Sequence, residues 1–250
     1  MNKNNLFIST IADDAAALAS KHELGLEIAE FCTAVNMDDN FRQIEPAVHS
    51  ALDATSRFVF HAPFNELYPA AIDPLAVKLA HDRLDQAVRL SLSYDVQRIV
   101  MHSGNLPQLY CKSWFEERSI VFWREFLHDK PPDIRIYVEN VFDNDPKLLL
   151  RVIEAVNDPR LSLCLDIGHA NCQANLSPLE WLKTNARQIA HFHIHNNSGE
   201  DDTHNNLKDG TIDIKEFLTA AAVLCPNATY TIETMHAEPS LLWLIENGFV

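Results

Sequence analysis

The chain is poor in three things, and each shortage narrows what it can be. Its five cysteines (Cys32, Cys111, Cys164, Cys172 and Cys225) are odd in number, scattered and free of any C-x-x-C spacing. That argues against a disulfide framework or a zinc finger and fits a reducing compartment. No run of about 18 apolar residues occurs, and no apolar segment of signal-peptide length follows Met1-Asn2-Lys3-Asn4-Asn5. A membrane span is therefore not expected, and the cytoplasm is the expected location. Basic residues are scarce, with 20 Lys and Arg against 35 Asp and Glu, for a net charge of −15. Such a surface is a poor partner for a polyanion, which disfavours nucleic acid. Part of the deficit would be local if carboxylates surround bound cations.

Linkers, low-complexity runs and charge blocks are also missing, so residues 1–250 read as one domain. A chain of 250 residues, 47% of them hydrophobic, buries a large core without disulfides or a structural metal. Any metal it carries is free to serve chemistry.

Short β-branched or aromatic runs alternate with longer stretches of helical period. The expected strands are Leu6–Thr10, Leu24–Ala29, Arg57–His61, Arg98–His102, Ile134–Glu139, Leu161–Asp166, Ala190–His195 and Thr229–Glu233. Several are apolar nearly throughout, as parallel strands covered on both faces are. The clearest helix runs from about Asp73 to Leu92, where Val77, Ala80, Leu84, Val88 and Leu92 form one apolar stripe. Asp73-Pro74 is a good start signal, and Ser177-Pro178-Leu179-Glu180 reads as a capping box. Other helices are expected near Asp13–Lys21, Gln43–Ala54, Ser113–His128, Pro146–Val156, Asp213–Ala222 and Pro239–Glu246. Eight strands alternating with helices make an α/β fold, either a doubly wound sheet or a closed (β/α)₈ barrel.

The strand ends favour the barrel. His61, His102, Glu139, Asp166, His193 and Glu233 each stand at or near the end of a strand, separated by 41, 37, 27, 27 and 40 residues. In a parallel barrel those six tips converge on the C-terminal mouth, where such enzymes keep their active sites. Asp166-Ile167-Gly168-His169 adds a ligand three residues on, with Gly168 expected to let the chain turn back over the site. Asp202-Thr203-His204 adds an Asp-x-His pair whose side chains share a side if the segment is extended. One polar strand tip proves little, since such tips are often just solvated. Nine candidates at this spacing point to coordination, and imidazole with carboxylate suits Zn²⁺, Mn²⁺, Fe²⁺ or Co²⁺. Zinc or manganese, one to three ions, is the expected cofactor. His22, His49, His81 and His128 lie in or beside helices and read as surface or packing residues. His191 shares the parity of His193 but lies deeper and reads as structural. His195 and His236 are candidate substrate contacts.

The chain resembles the xylose isomerase-like barrel superfamily, which holds endonuclease IV and many sugar or sugar-phosphate isomerases and epimerases. The matching stretches run in order from the third strand to the end: Phe60-His61-Ala62-Pro63-Phe64, Val100-Met101-His102-Ser103-Gly104, Val138-Glu139-Asn140, Leu165-Asp166-Ile167-Gly168-His169, Phe192-His193-Ile194-His195-Asn196 and Ile232-Glu233-Thr234. The resemblance implies a shared ligand core of Glu139, Asp166, His193 and Glu233. In the epimerase branch these hold one ion, with Glu139 and Glu233 as acid and base. The endonuclease branch implies three zinc ions: one on His61, His102 and Glu139, a second on Glu139, Asp166, His193 and Glu233, a third on His169, Asp202 and His204. Phe64 stands where endonuclease IV carries a probing aromatic, and Leu207-Lys208-Asp209-Gly210-Thr211-Ile212 resembles the segment after its Asp-x-His pair. The long DNA-gripping loops and the basic footprint have no counterpart. Lys208 replaces a glycine and Asp209 a glutamate.

Two reactions compete. A metal-dependent isomerase or epimerase would bind a sugar or sugar phosphate and stabilise an enediolate, with Glu139 and Glu233 moving the proton and His195, Asn140, Phe64 and His236 contacting substrate. An endonuclease IV-like hydrolase would instead use bridged ions to activate water against a phosphoester, a small one rather than DNA. The isomerase ranks first. A non-enzymatic carbohydrate-binding barrel would be expected to lose the glutamate pair, which this chain keeps. The expected partner is a small molecule, and a homo-oligomer stays open.

Overall fold

The computed structural model describes the whole chain, Met1–Val250. Eight parallel strands close into a barrel in chain order: β1 (Leu6–Ser9), β2 (Gly25–Ile28), β3 (Phe58–His61), β4 (Arg98–His102), β5 (Arg135–Glu139), β6 (Leu161–Asp166), β7 (Ile189–Ile194) and β8 (Thr229–Ile232). β8 returns to pair with β1, so no edge is left to cover. Several strands stop a residue short of expectation. At the end of β2 the reason is local: the Ala29 amide is bonded by the Thr10 hydroxyl at 2.9 Å rather than by a ladder carbonyl. None of the helices is long and apolar enough to cross a membrane.

The helices form an outer ring: Ala15–His22, Phe41–Ala54, Pro74–Ser93, Lys112–Leu127, Pro146–Val156, Pro178–Asn185, Ile214–Leu224 and Glu238–Glu246. Their starts obey the signals in the sequence. Asp73 accepts from the Leu75 amide at 2.8 Å, and Ser177 with Glu180 closes a reciprocal capping box. Two helices were not foreseen, Ala34–Met37 and Ile167–Gln173. The second begins directly on the end of β6, because the Asp166 carboxylate accepts from the His169 amide at 2.7 Å and caps the turn.

Alternation along the strands places the site. One parity faces the helices: Phe60, Met101, Val138, Leu165, Phe192 and Ile232 all belong to the large outer core, each side chain contributing roughly 1.5–3 kcal/mol by burial. The opposite parity fills the barrel. Phe7, Val59, Val100, Tyr137 and Cys164 form a small apolar plug. Two residues further along the same strands stand His61, His102, Glu139 and Asp166. A period of two therefore stacks the polar residues above the plug, at the C-terminal mouth.

Candidate metal centre

Glu139 is the hub. Its Oε2 lies 3.4 Å from His61 Nε2 and 3.3 Å from His102 Nε2. Its Oε1 lies 3.1 Å from His169 Nδ1 and 3.4 Å from His193 Nδ1. On the far side, His193 Nδ1 is 3.0 Å from Glu233 Oε2 and 3.7 Å from Asp166 Oδ2. An outer lobe completes the field, with Asp202 Oδ2 at 3.1 Å from His169 Nε2 and 2.9 Å from His204 Nε2. All nine residues read as ligands from the sequence thus meet in one mouth. Asp166 and His193 are fully buried, and the outer residues open onto a cavity of about 550 Å³, a size suited to a small molecule.

Ring orientation is fixed by the main chain. Nδ1 of His61, His169 and His204 faces the carbonyls of Ala62, Asn140 and Glu233 at 2.9, 3.0 and 2.8 Å. A carbonyl only accepts, so each Nδ1 carries a proton; Nε2 faces the carboxylates, as an N–H donor when the ring is charged and as a free lone pair for a cation once it is neutral.

The donor set fits a divalent cation on two counts. Glu139 Oε2, His193 Nδ1, Asp202 Oδ1 and Glu233 Oε2 are buried without hydrogen-bond partners, and His193 Nδ1 lies 3.0 Å from Glu233 Oε2. Buried polar atoms are rarely left so unless something else binds them. Imidazole nitrogens mixed with carboxylate oxygens are also the chemistry of zinc, manganese and iron sites. Without a cation the carboxylates and imidazole rings pair with one another. Burial opposes ionisation of Glu139, yet His102 and His193 hold its carboxyl well below the usual range. Burial likewise opposes protonation of His169, but the charge of Asp166 and the hydrogen bond to Asp202 raise it well above the ordinary imidazole value. His204 follows the same pattern and is raised to about 9. Such protons leave when a cation enters.

Of the four residues read as substrate contacts, Phe64 alone lines the cavity, its ring stacked on His102 with centroids 4.3 Å apart. Asn140 is fully buried and spends its amide on the main chain of Asp166, at 2.9 and 3.0 Å. It holds the main chain of Asp166 and does not line the cavity. His195 is fully buried behind Asp166, 3.1 Å from its carboxylate, with one face stacked on His204 at 4.1 Å. His236 stands outside the cavity, bonded to Asp13 at 2.8 Å. His191, read as structural, is buried between Glu27 and Thr229.

The structure departs from expectation in the geometry of two loops. Gly168 does not turn the chain by a special backbone angle, since it lies inside the helix Ile167–Gln173. Glycine stands there because a Cβ would come within 1.9 Å of the His195 ring. Asp202 and His204 converge not through an extended strand but through a left-handed residue, His204 at φ 46°. Their loop is tied down by Asn196, which pairs with Asn205 and bonds Leu207 and Ile212 carbonyls at 2.8 and 3.2 Å. Gly168→Ala is expected to lower stability by roughly 1–3 kcal/mol, the usual range for overpacking, and to weaken metal binding by shifting His195 off Asp166. Thermal melts with and without Zn²⁺ check this. An alanine variant matching wild type in both would show that the helix gives way without strain.

Sequence reasoning missed Glu27, which is fully buried on β2 with Oε1 3.0 Å from His193 Nε2. A single charge in the run Leu24–Ala29, in phase with the barrel interior, was the available signal. It also missed Asp143, whose carboxylate accepts from Ser103 and Asn105 at 2.7 and 2.8 Å and ties two mouth loops together.

A closed parallel barrel with a histidine and carboxylate field at its C-terminal mouth defines a class of (β/α)₈ barrels. Within that class the chain belongs to the xylose isomerase-like TIM barrel family, whose model matches residues 17–241. Among solved structures it is similar to a D-tagatose 3-epimerase-like protein, at 23% identity and TM-score 0.80, over 98% of this chain and 97% of that one. A Thermus thermophilus protein soaked with ZnCl₂ aligns at 21% identity and TM-score 0.78, covering 98% of each chain. An IolI protein with a bound zinc atom aligns at 16% identity and TM-score 0.73, over 98% and 95%. At these identities the likeness is one of fold. Two uncharacterized proteins of Methanocaldococcus jannaschii are 29% and 26% identical, each over 64% of this chain. The aligned parts span 58% and 64% of those relatives' own lengths.

Proposed function

We propose that the protein is a metal-dependent isomerase or epimerase of a small sugar, with zinc or manganese as its ion. The observation that carries this reading is the pair Glu139 and Glu233, whose carboxylates approach His193 Nδ1 from two sides at 3.4 and 3.0 Å and both line the cavity. Two carboxylates facing one small cavity are what proton removal and return at a carbon beside a carbonyl require. Glu139, Asp166, His193 and Glu233 would hold the principal ion, and a divalent ion so held would polarise the substrate carbonyl. Glu139 or Glu233 would take the proton and the other return it. Phe64, Leu106, Val141 and Phe142 give the cavity apolar walls. Lys and Arg are absent from the lining, so outside the ligand field nothing cationic meets a phosphate. An unphosphorylated sugar is favoured over a sugar phosphate on that ground. The relatives in solved structures that are named as epimerases agree with the reading at the level of the family.

A second reading, phosphoester hydrolysis over several ions, is favoured by one observation. His61 with His102, and His169 with Asp202 and His204, form two further ligand groups around the first, which a single-ion epimerase has no need of. The deciding experiment loads the protein with Mn²⁺ or Zn²⁺ in D₂O and offers ketoses, aldoses, their phosphates and a panel of phosphoesters. Deuterium is expected at the carbon beside the carbonyl of an unphosphorylated sugar, detected by NMR. Phosphoester hydrolysis with no deuterium in any sugar would replace the isomerase with the hydrolase.

A further inference from the structure

We infer that Glu27 is a positioning residue of the metal centre, holding His193 from behind so that its Nδ1 faces Glu139, Asp166 and Glu233. The other histidines with a defined rear contact, His61, His169 and His204, lean on main-chain carbonyls. His193 has no such carbonyl. Its rear nitrogen, Nε2, meets Glu27 Oε1 at 3.0 Å, and both residues are fully buried. This is the pattern of a carboxylate behind a ligating imidazole, which selects the tautomer and strengthens the donor.

The rest of Glu27 is already engaged. Its Oε2 accepts from the Thr231 hydroxyl at 2.6 Å and lies 3.1 Å from His191 Nε2. His191 is in turn braced by Thr229, Nδ1 to hydroxyl at 2.6 Å. Thr229, His191, Thr231 and Glu27 thus form a polar group inside the barrel beside the apolar plug: Glu27 pairs in register with Val59, His191 with Cys164, and the His191 ring stacks on Tyr137. Oε1 is left with no hydrogen bond of good geometry, which is costly for a carboxylate deep in a barrel unless it serves a partner. An apolar side chain would fill the same space at no such cost. Oε1 lies 3.0 Å from the back of His193, in a group where Glu27, His61, His193 and Glu233 each bring one donor atom within 4.8 Å of the others.

Glu27 can have this role only if His193 is a ligand, as proposed above, so the test separates the two claims. Metal-free full-length protein is titrated with Zn²⁺ against a chelator and with Co²⁺ by visible spectroscopy. Glu27→Gln keeps the volume and removes the charge. It is expected to weaken Zn²⁺ binding about 10- to 100-fold, with the same number of ions per chain, and to shift the Co²⁺ absorption. A role in packing alone would leave the Co²⁺ spectrum of the loaded variant unchanged. Thr231→Val, which frees Oε2 without touching charge, should give a smaller loss of the same sign, and it decides the matter if Glu27→Gln does not fold. Wild-type affinity and spectrum in the variant that folds would overturn the inference while leaving the metal centre intact. Loss of one ion per chain in Glu27→Gln would also overturn it, by making Glu27 a ligand. A wild-type protein that binds neither metal would overturn the positioning role and the metal centre together.

Discussion

Replacing Glu139 by glutamine is expected to lower kcat/KM by roughly 10³-fold or more, about 4 kcal/mol of transition-state stabilisation. The side chain keeps its volume but loses the charge that His61, His102, His169 and His193 all approach within 3.4 Å. Two functions go at once: a metal ligand and one of the two carboxylates proposed to move the proton. Turnover near the wild-type rate would remove Glu139 from the chemistry. The metal-free variant carries a second, independent signature. Glu139 is depressed from an ordinary value of 4.5, so the stability it contributes is present above that pH and lost as pH falls through its lower folded value. His169 and His193 are raised from 6.5, so their share is fully present below that pH and is lost as pH rises through their higher folded values. Both conditions hold between about pH 4.5 and 6.5, where the melting deficit of Glu139→Gln should be greatest, shrinking as the pH rises further. A deficit that is flat with pH would mean that the carboxylate is not paired to these rings in the metal-free protein.

The site was legible from the sequence because a parallel barrel turns a one-dimensional spacing into a ring. Residues such as His61 and Glu233, far apart in the chain, needed only to be strand tips of the same parity to meet. The strongly apolar strands and the Asp73 and Ser177 caps marked the elements that carry them. What could not be read was direction at close range. Asn140 and His195 have the right residue types and the right addresses for substrate contacts, yet both turn toward Asp166, where the helix Ile167–Gln173 begins. That helix exists because Asp166 caps it, a role invisible when Asp166 is read only as a ligand. Glu27 was hidden for a different reason. It lies one layer below the mouth, whereas attention to strand ends looks only at the top. The net charge of −15 becomes more intelligible once the carboxylates of Glu27, Glu139, Asp166, Asp202 and Glu233 are seen to share the barrel interior and its mouth.

Removing the outer lobe should separate the two reactions. In Asp202→Ala with His204→Ala, the contacts at 3.1 and 2.9 Å that join His169, Asp202 and His204 disappear. Glu139, Asp166, His193 and Glu233 keep all their mutual contacts. Proton exchange at a sugar carbon depends on that inner group, so it should survive within about 10-fold, with fewer ions bound per chain. Hydrolysis of a phosphoester depends on ions placed on both the attacking and the leaving oxygen, and it should fall by about 100-fold or more, roughly 3 kcal/mol. Folding is not at stake, because Asp202 and His204 stand at the rim, their side chains about one-quarter exposed, and the loop is anchored independently through Asn196 and Asn205. The substitution also removes a ring whose proton opposes loading: His204, raised to about 9 with a hydrogen bond to Asp202, must give up its proton before it can bind a cation. The inner ion should therefore load with fewer protons released in the variant than the full set releases in the wild type, a difference readable in weakly buffered solution. Equal collapse of both activities would make the three ligand groups one catalytic unit and remove the ground for preferring a single-ion isomerase.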